Sequence, residues 1–191
     1  MHVRETSLPE VLVVEHEVFE DDRGFFMEAY RSDHFAEFAN LGLPSHIVQL
    51  NHSRSSRGVT RGLHFQWDPP MGKLMRVVAG EAFLVAVDIR PGSATLGQYE
   101  SLIASNHNKL QLWAPASFAR GFCTLSEFAE VEYLTTGTYN PDTESGVRWN
   151  DPDIGIEWPV DEPIVSRRDA EAQSLSDWLA RPEAENFRVG E

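Results

Sequence analysis

The run QLNHSRSSRGVTRGLHFQ, residues 49–66, gathers Asn51, His52, Ser53, Arg54, Ser55, Ser56, Arg57, Arg61, His64 and Gln66 into eighteen positions broken by Gly58 and Gly62. Guanidinium groups bind anions and an imidazole exchanges protons near neutral pH. Such a set on one face would make an anion-binding, proton-transferring site. A run this polar is ordinarily a solvated loop. Here it is flanked by apolar residues, Ile47-Val48 before it and 74–78 after it. Val59, Leu63 and Phe65 interleave with Thr60, Arg61, His64 and Gln66, as in a strand with one polar face. Two readings stay open on pattern alone: the inner wall of a barrel, or an edge strand that turns its charges outward.

The rest of the chain must position that segment. Its 191 residues fit one domain, 1–191, large enough for a proper core. With 41% apolar and 24% charged residues it has the composition of an ordinary globule. A formal net charge of −14 argues against nucleic acid and anionic membranes as partners, and an anionic substrate would need a local basic pocket. The single cysteine, Cys123, excludes an internal disulfide, and its apolar neighbours point to a buried thiol. No window is long and apolar enough to span a membrane, and the first residues carry no apolar leader, so a cytoplasmic protein is expected.

Most segments read as strands: 11–20, 25–30, 73–79, 81–89, 98–104, 109–114, 121–125 and 129–139. Turn signals at Gly80, Pro91-Gly92, 106–108, Pro115 and Gly137 separate them at the spacing of a sandwich or barrel. A helix is expected over 32–41, capped by Ser32 or Asp33 and stopped by Gly42, and another over 168–179; 140–163 reads as an ordered loop. The fold class is all-β with small peripheral helices. A barrel with an inward histidine raises the question of a metal. Cupin barrels offer His-x-His and a later imidazole, whereas Gln66 and Arg120 stand in two of those places here. A guanidinium cannot ligate a cation, and one imidazole is a poor divalent-metal set, so no metal and no cofactor are expected.

Several motifs then fall in order along the chain: 49–66, Asp22-Arg23-Gly24-Phe25-Phe26, Ala86-Val87-Asp88-Ile89-Arg90, Phe118-Ala119-Arg120-Gly121-Phe122 and Trp149-Asn150-Asp151-Pro152. Together they resemble the dTDP-4-dehydrorhamnose 3,5-epimerase family, from about Leu8 to about Asp169. The resemblance implies a cupin-like double-stranded β-helix (jelly roll). It implies a dTDP-4-keto-6-deoxy sugar as substrate, and a homodimer that exchanges N-terminal strands. The implied activity is inversion at C3 and/or C5, as in dTDP-L-rhamnose and related deoxysugar biosynthesis.

A 4-keto group acidifies the protons on C3 and C5, so a base can leave an enolate that is reprotonated from the opposite face. By the resemblance His64 is the base, Asp169 holds its ring, Lys73 faces the O4 oxyanion and Tyr133 is the acid. Read without the family, His64 could be a hydrogen-bonded structural residue and Asp169 a first-turn helix carboxylate. Lys73 could equally be an exposed strand end, and Tyr133 core. The resemblance further implies that Arg23 and Arg61 bind the diphosphate, and that Arg168 keeps a charge often supplied there by lysine. Glu28, Gln49, Asn51 and Glu144 would contact nucleotide or sugar, and Tyr139 would stack on thymine. Arg23-Gly24 could otherwise be a plain turn and Glu144 a solvated loop carboxylate. Two positions depart from the pattern: Arg120 stands where many relatives have histidine, and Leu84 where many have aspartate. Arg120 is expected inside the pocket as a substrate ligand. The departures leave open a 3- or 5-monoepimerase, a 3,4-ketoisomerase or a non-catalytic sugar-nucleotide-binding barrel.

Overall fold

The computed structural model describes residues 1–190. Thirteen short strands alternate with turns: β1 (His2–Glu5), β2 (Leu12–Glu15), β3 (Phe19–Asp21), β4 (Gly24–Phe26), β5 (Gln49–Ser56), β6 (Thr60–Gln66) and β7 (Lys73–Ala79). They continue as β8 (Glu81–Asp88), β9 (Tyr99–Ser105), β10 (Gln111–Ala114), β11 (Phe118–Thr124), β12 (Phe128–Thr135) and β13 (Glu144–Gly146). One sheet runs β1-β2-β10-β7-β12-β5, a second β13-β6-β11-β8-β9, and β3-β4 form a separate hairpin. All the ladders are antiparallel. This is the expected all-β jelly roll.

Strand periodicity builds the core. Met75, Val77 and Val131 from the first sheet meet Ala82, Leu84, Ala86, Phe118 and Phe122 from the second. The other face of the second sheet, with Leu63, Phe65, Val85, Val87 and Ala119, is covered by Leu175, Trp178 and Phe187. Burial on both faces explains the unbroken apolar run in β8. The outer face of the first sheet packs Leu12, Leu74 and Trp113 under Phe35 and Leu43.

The expected helices are present but interrupted. Residues 32–41 form α1 (Ser32–Ala36) and a 3-10 turn (Ala39–Leu41), with Gly42 at φ 101° as the stop. Arg31, not Ser32 or Asp33, holds the cap position. Residues 168–179 divide into α2 (Arg167–Ala170) and α3 (Leu175–Leu179). Gln173 causes the break: its side-chain amide donates to Ser145 Oγ, and a new capping box starts at Ser174. The stretch 11–20 breaks between β2 and β3, and β12 ends at Thr135 rather than 139. The loop 140–163 contributes β13. Cys123 is buried, and no described helix is long and apolar enough to cross a membrane.

Candidate active site

The polar run of residues 49–66 supplies two strands in different sheets, and both readings of it hold in part. β5 is the edge of the first sheet; it turns Leu50, His52 and Arg54 outward and Asn51, Ser53 and Ser55 inward. β6 lies within the second sheet beside β11, and there the register shifts: Arg120 pairs with His64, but Phe122 pairs with Arg61. Simple alternation would put residues 61 and 64 on opposite faces. The irregularity at Gly62, with φ 121°, brings both onto the inner face. No side chain fits there, because a Cβ on Gly62 would lie 2.7 Å from Gly121 Cα and 2.8 Å from the Arg120 carbonyl.

The inner faces enclose a cavity of about 270 Å³ whose wall includes Asn51, Ser53, Arg61, His64, Lys73, Arg120, Tyr133, Tyr139 and Glu144. A second groove of about 230 Å³, lined by Arg168, Asp169 and Gln173 among others, shares His64 and Glu144 with it. His64 Nε2 lies 2.6 Å from Asp169 Oδ1, a contact spanning 105 residues of chain. Asp169 does sit in a first helical turn, where its N–H donates to Ser166 Oγ, yet its carboxylate serves His64 and the Gly62 N–H. Burial alone would raise that carboxyl. The hydrogen bond from His64 and its charge outweigh burial and hold Asp169 below the usual range. An anionic partner on Nε2 makes this nitrogen the N–H side of the ring, leaving Nδ1 to accept a proton.

Lys73 opens β7 and has no carboxylate within ion-pair reach among the described residues. Burial, and then the like charge of Arg120, push its ammonium down to about 7, against a smaller pull from Glu144. Tyr133 stands on β12 with its phenolic oxygen 2.8 Å from Ser53 Oγ. Burial raises its ionisation, while Ser53 and the charge of Arg61 oppose the rise. Arg61 donates from Nε to Ser55 Oγ. Gln49 ties the rim: its amide donates to Asn51 Oδ1, and its carbonyl oxygen accepts from the Tyr139 N–H. Glu144 Oε2 accepts from the Tyr139 hydroxyl at 3.1 Å and from Arg168 at 2.6 Å.

Arg120 is inside the fold, only 2% exposed, but its donors face main chain first. Nη1 donates to the carbonyls of Pro115, Ala116 and Phe118, and Nη2 to that of Met71. The expected substrate ligand is thus primarily a clamp between the turn before β11 and the loop before Lys73. Burial lowers its pKa to about 9, still a cation at neutral pH. Leu84, fully buried in the apolar core, supplies no counter-charge. Gln66 is no spare ligand either: its amide donates to the carbonyls of Pro69 and Thr138, and its oxygen accepts from the Asn140 N–H.

Two expected site residues are not brought to this cavity. Arg23 lies in the β3-β4 hairpin, 90% exposed and paired with Asp21 at 2.5 Å, because the hairpin projects from the sandwich. Glu28 pairs with Arg31, approaches His34, and lines a separate groove with Met1, His16 and Phe19. Conversely, Ser53, one of the polar residues of the 49–66 run, has no role assigned to it from sequence. The alternation of β5, which places it between Asn51 and Ser55, is the signal that would have found it.

A small jelly roll whose interior joins a histidine–carboxylate pair, a lysine and a tyrosine has the groups of a proton-transfer enzyme. The family model for dTDP-4-dehydrorhamnose 3,5-epimerase matches residues 5–177. The chain is 47% identical over 178 residues to a dTDP-4-dehydrorhamnose 3,5-epimerase of Shigella flexneri, covering 93% of this chain and 97% of the relative. A dTDP-6-deoxy-D-glucose-3,5-epimerase of Legionella pneumophila, solved with dTDP-4-keto-L-rhamnose, superposes with TM-score 0.90 at 39% identity, covering 100% and 98% of the two chains. NovW, a 4-keto-6-deoxy sugar epimerase from the novobiocin gene cluster of Streptomyces spheroides, gives 0.89 at 37%, covering 94% and 89%. The chain belongs to the dTDP-4-dehydrorhamnose 3,5-epimerase family.

Proposed function

We propose that the protein epimerises a dTDP-4-keto-6-deoxyhexose at C3 and C5, with the pair His64–Asp169 as base. The 2.6 Å contact that ties His64 Nε2 to a buried carboxylate carries the reading, because it orients the ring and stabilises the imidazolium formed on proton abstraction. Nδ1 takes the proton from the carbon next to the ketone. The electron pair moves onto O4, where the Lys73 ammonium in a restricted cavity stabilises the enolate. Tyr133, whose burial keeps the phenol protonated, returns a proton to the opposite face.

The remaining groups bind the substrate. Arg61 and Arg168 meet the diphosphate, which offsets the overall negative charge locally. Tyr139 stacks on the base, and Gln49, Asn51 and Glu144 set the rim. Arg23 and Glu28 serve the site of the second subunit in a cytoplasmic homodimer, consistent with an exposed hairpin that also carries Phe19, Phe25 and Phe26. No step requires a metal. Inversion at one carbon, as in an antibiotic-type sugar pathway, is the second reading, favoured by the Arg120 and Leu84 departures. Incubation with the dTDP-4-keto-6-deoxyglucose nucleotide tests both readings. New proton–proton couplings at C3 and C5 in the NMR spectrum are expected. A change at one carbon selects the monoepimerase, and an unaltered ring contradicts the proposal.

A further inference from the structure

An acid that gives its proton to carbon must hold its own oxygen ready for negative charge, and the cavity has one hydroxyl placed to do this. Ser53 Oγ lies 2.8 Å from the Tyr133 oxygen and 3.4 Å from the Val131 carbonyl. Among the described residues the Tyr133 hydroxyl has no other hydrogen-bond partner, and Arg61, whose charge acts on it, directs its Nε to Ser55. Both serine contacts come from β5–β12 pairing, in which Ser53 sits opposite Val131 and Asn51 opposite Tyr133.

Resting on the base-and-acid reading above, we propose that Ser53 is a positioning residue for proton return, its hydroxyl turning from the Val131 carbonyl to the Tyr133 oxygen as the phenol ionises. Before reaction the phenol has its proton and the serine hydroxyl can point at main chain. On abstraction the carbon–hydrogen bond breaks, its electrons enter the enolate and the proton goes to His64. On return a new carbon–hydrogen bond forms with the phenol proton, and the O–H electrons stay on Tyr133 as phenolate. A serine O–H then donates to that oxygen. Each inversion therefore leaves His64 protonated and Tyr133 ionised. Water resets both, giving a proton to the phenolate and taking one from His64, which the groove beside Asp169 and Gln173 also reaches. Inversion at two carbons needs the reset twice.

The claim predicts a split that a packing role would not give. Ser53→Ala should lower inversion about 10–100-fold, the loss expected when an ionised oxygen loses a hydrogen bond. Deuterium uptake from heavy water at the same carbons, which needs only His64 and Lys73, should fall less than about threefold, with KM little changed. Ser53→Thr, which keeps the hydroxyl, should restore inversion. Exchange and inversion falling together, or Ser53→Thr failing as Ser53→Ala does, would overturn the proposal. Tyr133→Phe is run alongside to separate the two readings. A Tyr133→Phe enzyme that inverts normally removes the acid assignment and this proposal with it. A Tyr133→Phe enzyme that fails while Ser53→Ala matches the parent removes the Ser53 role alone.

Discussion

At Lys73 two effects act in the same direction: removal from water disfavours the ammonium, and the fixed charge of Arg120 adds to it, bringing the group to about 7. A lysine that must be protonated to stabilise an oxyanion loses that form as pH rises. The kcat/KM of the parent should therefore decline above about pH 7, whereas kcat, measured with the substrate's charge in place, should decline at higher pH. A kcat/KM profile flat to pH 9 would show that the Lys73 charge is not required. Arg120→Met removes the like charge, so its alkaline limb should move upward. The same change leaves the carbonyls of Met71 and Pro115 unpaired, and should cost about 2–4 kcal/mol of stability in urea titration. The convergence of His64, Lys73 and Tyr133 on one cavity was legible because the motif that each belongs to marked it. Arg120 was legible as inward but not as a main-chain clamp, since its partners are carbonyls that carry no sequence signal.

Strands decide which of these side chains meet. Alternation along β5, β7 and β12 aims Asn51, Ser53, Lys73 and Tyr133 inward, but in β5 the aliphatic residue, Leu50, faces outward, so sequence did not mark which face was the inner one. The register shift on β6 was hidden as well: Gly62 reads as a break and Gly121 as the start of a strand, while the close approach of the two backbones exists only once the strands pair. Gly62→Ala should destabilise the fold by about 3 kcal/mol, measurable by urea unfolding, because it adds both a positive-φ penalty and a clash with β11. Gly146 tests positioning more gently. A methyl there would lie 2.8 Å from the Leu63 carbonyl and 3.4 Å from His64 Cδ2, so Gly146→Ala should lower kcat about tenfold by moving the imidazole, with KM less affected. Equal kcat in that variant would show that the ring position tolerates the shift. The short helices were misjudged for a related reason: a continuous periodic pattern hides the Gln173 tie to β13 that splits them.

On the scale of the whole molecule, a chain of net charge −14 assembles a cavity that brings Arg61, Lys73 and Arg120 together, with Arg168 beside it. The field outside repels an anionic nucleotide sugar and the site must attract it, so KM should rise with ionic strength through screening of the arginines. Arg23 tests assembly. It lies outside its own cavity, so in the proposed homodimer Arg23→Ala and His64→Ala should each impair activity, while mixed dimers would regain one intact site. Activity on co-refolding the two inactive variants is expected, and its absence would place Arg23 outside catalysis. Turnover should also be indifferent to chelators, since Gln66 spends its amide on backbone and the Arg120 guanidinium cannot ligate a cation; loss with EDTA and rescue by a divalent ion would contradict this. In the proposed mechanism His64 removes the proton and Tyr133 returns it on the other face. Both steps are read at once by proton NMR of the keto sugar in heavy water, with parent, His64→Ala and Tyr133→Phe enzymes side by side. Deuterium with inversion is expected for the parent, no deuterium for His64→Ala, and deuterium without inversion for Tyr133→Phe. Normal exchange in His64→Ala, or normal inversion in Tyr133→Phe, would contradict it.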